Sequence, residues 1–208
     1  MTCQWSFSAL ITVNASRCRW RDGGRHGKVR RLRTETLQMG DLSVALAETP
    51  EEIDAVRHLS RAFRQWLYDN YPAERPQVEL YYNPEKFEAL LANLPHIHAR
   101  PQGAMFLARL DGESVGCVMQ HEIAPGISEM KRLFVSEKAR GSGAALALCE
   151  ASLARAKEDG YGVMRLDTGY RQIAAQKLYR RLGFRERDAY YAVPDDLKPI
   201  LVFFEREL

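Results

Sequence analysis

A glycine-rich segment that follows a strand-like run is the clearest chemical feature of the sequence. Met130 to Val135 is predicted to be a strand, and Arg140-Gly141-Ser142-Gly143-Ala144-Ala145 leads into an apolar helical pattern. Gly141 and Gly143 can adopt positive φ, and the first amides of a helix have no acceptor within the helix. Arg140 can add a bidentate contact to a phosphate. The segment predicts an anion site for a pyrophosphate, although on its own it is equally consistent with a structural loop.

Two common nucleotide-binding motifs do not fit this segment. A dinucleotide fingerprint would place a third small residue at position 146, which is Leu146, and Asp167 is not placed to hold a ribose. A Walker loop would require Gly-Lys-Ser or Gly-Lys-Thr, which the segment lacks. A purely structural loop therefore stays an equal alternative for this segment taken alone.

Metal and thiol chemistry are not favoured. The four cysteines show neither a C-x-x-C pair nor a zinc-ligand spacing: Cys3, Cys18, Cys117 and Cys149. Cys117 and Cys149 fall within apolar patterns and are expected in the core. His96 and His98 have no further ligand nearby, so we expect a surface pair rather than a metal site. A reducing, cytoplasmic location is the expectation, with no metal.

The elements that must position the glycine-rich segment can be read from periodicity and turn signals. Strands are predicted at 42–47, 104–110, 114–121, 128–135, 163–168, 184–187 and 200–206. Helices are predicted at 50–68, about 87–94, 144–159 and 173–182, with 69–84 as a loop that holds at most a helical turn. This order predicts a single α/β domain over 41–208, with a mixed sheet and covering helices.

The positive charge is concentrated ahead of this domain. The 208-residue chain has a formal net charge of +3, yet residues 1–40 contain eight basic and two acidic residues. Residues 41–208 contain 22 basic and 25 acidic residues, so the charge predicts no nucleic-acid binding by the domain. The basic leader is interpreted as an unstructured tail without a functional part, with a targeting segment and a nucleic-acid arm as alternatives. No apolar run is long enough to span a membrane.

A second motif makes the interpretation of the glycine-rich segment more specific. Ala175, Leu178, Tyr179, Gly183 and Phe184 match the pattern Ala-x-x-Leu-Tyr-x-x-x-Gly-Phe. The two motifs together resemble the GCN5-related N-acetyltransferase (GNAT) superfamily, whose first motif is Arg/Gln-x-x-Gly-x-Gly/Ala. The resemblance is dense over 128–187 and extends by element order over 42–208. One departure is that Gln172 stands where the family often has Asn.

The resemblance implies a fold and a co-substrate. The fold is a GNAT-like α/β architecture with a mixed, mostly antiparallel central sheet, a splayed parallel strand pair, and flanking helices. A bulge in the strand before the loop widens the gap that accepts the pantetheine arm of acetyl-CoA as an added strand. The resemblance implies that the backbone of Leu133, Phe134 and Val135 bonds the pantetheine and that the amides of 140–145 hold the pyrophosphate. Ala175 is also expected at the cofactor.

The same resemblance suggests two residues for the chemistry. Acetyl transfer by direct attack needs a neutral amine and a proton for the departing thiolate. Tyr179 matches the tyrosine that many family members aim at the thioester sulfur, and ring packing is its alternative role. Glu129 matches the general-base glutamate of the histone-modifying branch, with His121 and Glu122 as neighbouring candidates.

The base role for Glu129 also depends on the strand pattern. Alternation is expected to place Glu129, Lys131, Leu133 and Val135 on one face, so that Glu129 looks into the cleft. The alternative is a solvated carboxylate paired with Lys131 or Arg132.

The acceptor is less well defined by the sequence. Its pocket corresponds loosely to aromatic and acidic residues within 66–82, to which no role is assigned. The leading hypothesis is an N-acetyltransferase that uses acetyl-CoA to acetylate an amine of a small-molecule or amino-acid-like acceptor. The alternatives are a protein N-terminal or lysine acetyltransferase and a non-catalytic acyl-CoA-binding module. Pairing as a homodimer is suggested by analogy only.

Overall fold

A seven-stranded sheet organises the protein. The computed structural model describes residues 40–208, and the leader predicted over 1–40 lies outside these residues except for Gly40. The strands are β1 (Leu42–Leu46), β2 (Gly103–Leu110), β3 (Glu113–Ala124), β4 (Ile127–Val135), β5 (Val163–Gly169), β6 (Arg185–Arg187) and β7 (Leu201–Glu207). Their spatial order is β1-β2-β3-β4-β5-β7-β6, and only β4 and β5 run parallel. The expected mixed, mostly antiparallel sheet is confirmed.

Within residues 40–208, six helices cover the sheet. They are α1 (Pro50–Asn70), α2 (Arg75–Tyr81), α3 (Pro84–Ala92), α4 (Leu94–Ile97), α5 (Ala144–Glu158) and α6 (Ile173–Arg181). Thr49 and Glu52 form a capping box that begins α1. The expected loop over 69–84 is wrong, because Pro72–Glu74 forms a 3₁₀ turn and α2 follows it. Val78 is the one buried residue of α2, which is too little apolar periodicity to reveal a helix from sequence.

The helices form one core on each face of the sheet. Leu148, Met164 and Phe204 lie in the core beneath α5 and α6, and Val56 and Leu91 lie in the core beneath α1 to α4. Cys149 belongs to the first core and Cys117 to the second, as predicted. Burial raises the pKa of both thiols to about 12, so neither is a ready nucleophile.

His98 corrects the expectation of a surface histidine pair. It is 3% exposed, and its Nδ1 lies 3.0 Å from the carbonyl oxygen of Gln120. It is buried because it directly follows α4, whose Leu94 packs into the core. Within residues 40–208, no cluster of three His, Cys, Asp or Glu side chains could hold a metal, and none of the helices there could cross a membrane.

A bulge in β4 changes which residues face the site. Lys131 stands opposite Met119 and Phe134 opposite Cys117, so Arg132 and Leu133 together oppose one residue of β3. The expectation that Glu129, Lys131, Leu133 and Val135 share one face is therefore wrong. Lys131 shares the face of Met119, beneath α1 to α4, whereas Leu133 and Val135 pack against the core beneath α5 and α6.

The parallel strands separate soon after they pair. β4 and β5 are paired at three positions, the last being Glu129 opposite Arg165. Beyond that point β4 and β5 no longer pair with each other, although β4 continues beside β3 to Val135 and β5 continues beside β7 to Gly169. The bulge and the separation agree with what the resemblance implied, and they open a cleft through the sheet.

Candidate active site

The cleft between the separated strands is the candidate active site. It contains about 860 Å³ of space outside the protein atoms, including part that is open to solvent. Leu133 and Tyr179 line it from the strand and α6, and Tyr71, Tyr81 and Tyr82 line it from the segment around α2. Glu74 in this segment accepts hydrogen bonds from Tyr170 at 2.8 Å and from Arg171 at 2.9 Å. These bonds fasten the segment around α2 to the turn after β5.

The glycine-rich loop presents free amides at the start of α5. Gly141 and Gly143 have φ values of 83° and 88°, as the sequence pattern predicts. Among residues 140–146, four amides donate to no protein acceptor: those of Gly141, Gly143, Ala145 and Leu146. The amides of Arg140, Ser142 and Ala144 already have protein acceptors. The free donors together with the helix dipole form an anion site that fits a pyrophosphate.

Leu146 was missed by sequence reasoning, which ended the anion site at Ala145. The rule that the first turn of a helix leaves its amides unpaired would have found it. Arg140 lies 3.1 Å from Glu137 and above the ring of Trp66. Its side chain is 54% exposed, so the guanidinium can leave Glu137 for a phosphate.

The predicted pantetheine residues lie on the open edge of β4. Leu133 lines the cleft, Phe134 is buried against α1, and Val135 packs towards α5. All three follow the last β4–β5 pair, so their backbone can pair with an added strand. Ala175 packs beside the core beneath α5 and α6 and does not line the cleft.

Tyr179 lies in the cleft with an unengaged hydroxyl. The residue is 6% exposed, and its ring packs near Phe184 and Phe204 with centroids 5.9 and 6.0 Å away. Within the described part of the chain, its hydroxyl makes no hydrogen bond. Burial, with smaller contributions from Cys149 and Asp167, raises the pKa of Tyr179 well above 10. The phenol is therefore protonated at neutral pH and can donate a proton.

Glu129 is buried and already paired. It is 5% exposed, its Oε1 lies 2.9 Å from Lys131 Nζ, and it accepts a hydrogen bond from Tyr190. His121 Nε2 lies 3.7 Å from its other oxygen. The carboxylate does not line the cleft. Its role as general base stays a prediction, and these surroundings favour a structural charge instead.

Lys131 joins Glu129 to Asp167 in a buried group that we call the Lys131 cluster. Lys131 Nζ lies 2.5 Å from Asp167 Oδ1, and the Tyr81 hydroxyl donates to Asp167 Oδ2 at 3.0 Å. Burial lowers the pKa of Lys131, but Asp167 and Glu129 more than offset this, so its pKa is raised overall. Sequence reasoning missed the cluster because its third member comes from the neighbouring parallel strand.

The comparisons with known proteins agree with this geometry. A family model described as the acetyltransferase (GNAT) family matches residues 60–184. The chain is similar to the IAA acetyltransferase of Azospirillum brasilense, with 30% identity over 80% of this chain and 99% of that protein. It is also similar to human N-acetylaspartate synthetase, with 33% identity over 59% of this chain and 45% of that protein.

A solved structure shares the fold. The PaiA N-acetyltransferase of Thermoplasma acidophilum, in complex with coenzyme A, aligns with a TM-score of 0.60 and 15% identity. The alignment covers 81% of this chain and 99% of that chain. The motifs, the separated strands and the family match together lead to one conclusion. This chain belongs to the GNAT family and is an acyl-CoA-dependent N-acyltransferase with acetyl-CoA as its co-substrate.

Proposed function

We propose that this protein transfers an acetyl group from acetyl-CoA to the amine of a small acceptor by direct attack. The observation that carries the proposal is that the segment around α2 forms one wall of the cleft and is held by Glu74 to Tyr170 and Arg171. A cleft walled on this side suits a small molecule better than a long peptide. The similarity to a protein named N-acetylaspartate synthetase, after an acetylated amino acid, supports the same class of acceptor.

Each step of the transfer has a group in the cleft or in the loop between β4 and α5. The free amides of Gly141, Gly143, Ala145 and Leu146 hold the pyrophosphate, and the backbone of 133–135 bonds the pantetheine. The nitrogen of the acceptor forms a bond to the acetyl carbon while the bond from carbon to sulfur breaks. An ammonium acceptor first loses one proton to water to become the neutral amine, and the nitrogen loses a second proton to water after it attacks. Tyr179 donates its proton to the departing thiolate and regains one from solvent. Glu129 could accept a proton from the amine only after losing its bonds to Lys131 and Tyr190.

An acceptor panel tests the proposal. The full chain is incubated with radiolabelled acetyl-CoA and with free amino acids, small amines, peptides with free N-termini, and lysine-containing peptides. We expect kcat/KM for the best small acceptor to exceed that of any peptide by about 100-fold, because the fastened segment excludes bulky chains. Faster peptide acetylation would support the protein acetyltransferase alternative. Binding of acetyl-CoA without any turnover would support the non-catalytic module.

A pair of glycine substitutions tests the pyrophosphate site. Gly143 and Gly160 both have positive φ, at opposite ends of α5, and a Cβ added to either would meet no atom within 4 Å. We expect Gly143→Ala and Gly160→Ala each to lower the free energy of unfolding by about 1–2 kcal/mol, because each places an L side chain in the left-handed region. Only Gly143→Ala should also raise the Kd for acetyl-CoA, by about tenfold, because its methyl group approaches the anion. Calorimetry measures the Kd, and equal values for the two variants would contradict the assignment.

A further inference from the structure

Arg132 is the cleft cation for which the described residues provide no counterion. The other two cations lining the cleft are paired, Lys131 with two carboxylates and Arg171 with Glu74. Within residues 40–208, Arg132 forms no ion pair and its guanidinium donates no hydrogen bond. Its Nε is also shut off from solvent and has no partner. A buried charged donor without an acceptor is costly, so a native site of this kind calls for an explanation.

The backbone conformation of Arg132 is also unusual. Arg132 has a φ of 53°, in the left-handed region that residues other than glycine, asparagine and aspartate seldom adopt. Such strain persists where the surrounding structure enforces it, and it is concentrated at binding and catalytic sites. Here the bulge in β4 enforces it, because Arg132 is part of the extra pair opposite one residue of β3. The regular pairing of β4 with β3 is therefore interrupted at Arg132, the residue that carries the unpaired cation.

Within residues 40–208, no carboxylate forms an ion pair with the Arg132 guanidinium, and the two carboxylates of the neighbouring Lys131 cluster are paired with Lys131. The positive charge of Arg132 acts on Tyr82, His98, Cys117 and His121. Burial raises the pKa of Tyr82 to about 12 and lowers that of His98 to about 4, so both are neutral at pH 7. Burial also lowers the pKa of His121. Because no side chain among residues 40–208 pairs with Arg132, its guanidinium is available to a carboxylate of a ligand in the cleft.

We propose that Arg132 binds the carboxylate of the acceptor, which is thus an amine that also carries a carboxylate, such as a free amino acid. The inference rests on the proposed function and narrows its substrate class. A guanidinium and a carboxylate form two parallel hydrogen bonds, which fix the orientation of the acceptor. The neighbouring Lys131 cluster has two carboxylates for one ammonium, and this excess of negative charge suits the incoming ammonium. The positive charge of Arg132 and the net negative charge of the Lys131 cluster thus complement the carboxylate and the ammonium of a zwitterion.

Matched acceptors measure the contribution of the carboxylate. The full chain is assayed with the common L-amino acids, with their primary amides, and with the corresponding amines that lack the carboxylate. For wild type, we expect kcat/KM for the best amino acid to exceed that for its amide by about 100-fold. Arg132→Gln should lower kcat/KM for the amino acid by about 100-fold and leave the amide nearly unchanged, so that the preference disappears. Arg132→Lys, which keeps the charge and loses the paired geometry, should give an intermediate preference.

Control variants distinguish a failure of this inference from a folding defect and from a failure of the proposed function. Arg155→Gln removes an arginine of α5 that also has a buried, unpartnered Nε but pairs with Glu158, away from the cleft. It should retain the preference for carboxylate-bearing acceptors. The Kd for acetyl-CoA shows whether Arg132→Gln is folded, and Arg132→Lys gives the answer if it is not. An unchanged preference in a folded Arg132 variant would overturn the inference while the proposed function stands. Failure of wild type to acetylate any amine, despite binding acetyl-CoA, would instead overturn the proposed function.

Discussion

Tyr179→Phe is expected to lower kcat by about 100-fold while the KM for acetyl-CoA changes little. The reason is that the variant retains the ring packing near Phe184 and Phe204 and loses only the proton donor for the thiolate. Because the Tyr179 hydroxyl makes no hydrogen bond within the described residues, the free energy of unfolding should change by less than about 1 kcal/mol. Steady-state kinetics and urea unfolding measure the two quantities.

Tyr161→Phe is the matched control for this experiment. Its hydroxyl donates to the carbonyl oxygen of Gln102 at 3.0 Å and does not line the cleft. This variant should lose about 1 kcal/mol of stability and keep its kcat. The raised pKa of Tyr179 adds a second check, since the wild-type enzyme should show no loss of kcat from this group up to about pH 10. A Tyr179→Phe enzyme within threefold of the wild-type kcat would exclude the hydroxyl as the donor.

Local signals account for the parts of the fold that the sequence could predict. Thr49, Gly143 and Gly160 mark helix ends through capping and positive φ, so α1 and α5 were placed within two residues of their ends. The strands follow from apolar runs and the Asp111-Gly112 turn. The sequence analysis missed α2 because this helix buries one side chain, Val78, and is stabilised by packing against α1 rather than by its own apolar pattern.

The site was harder to predict than the fold because it depends on a bulge. An alternating pattern cannot reveal a residue inserted into one strand, and the insertion at Arg132 moves Leu133 and Val135 to the opposite face from Lys131. The anion site at the glycine-rich loop was predictable, since its backbone amide donors are close together in the sequence. The pairing of Lys131 with Asp167 and the isolation of Arg132 were not, since both depend on which side chains the neighbouring strands bring near. Charge balance in a cleft is a property of the tertiary structure.

Lys131→Met is expected to destabilise the protein by about 3 kcal/mol at pH 7. The side chains of Glu129 and Asp167 are each 6% exposed, and Lys131 is the ammonium that lies between them. Removing it would leave two buried carboxylates that repel each other and have lost their main partner. Urea unfolding of the full chain measures the loss. Lys138→Met is the matched control, because that exposed lysine pairs with Glu113 at 3.6 Å and should change stability by less than about 0.5 kcal/mol.

The pH dependence of this loss distinguishes buried charge from lost packing. In the wild type, the pKa of Lys131 is raised above 10.5, so its stabilising charge is present below that pH and is lost as the pH rises through the folded-state pKa. In Lys131→Met, the two buried carboxylates repel each other at pH 7, and uptake of a proton on acidification relieves this repulsion in the folded state. The deficit should therefore be smaller at pH 5 than at pH 7. Combining Lys131→Met with Glu129→Gln and Asp167→Asn should restore part of the stability at pH 7, because no unpaired charge remains. A deficit that is equal at both pH values and unchanged in the triple variant would mean that Lys131 contributes through packing alone.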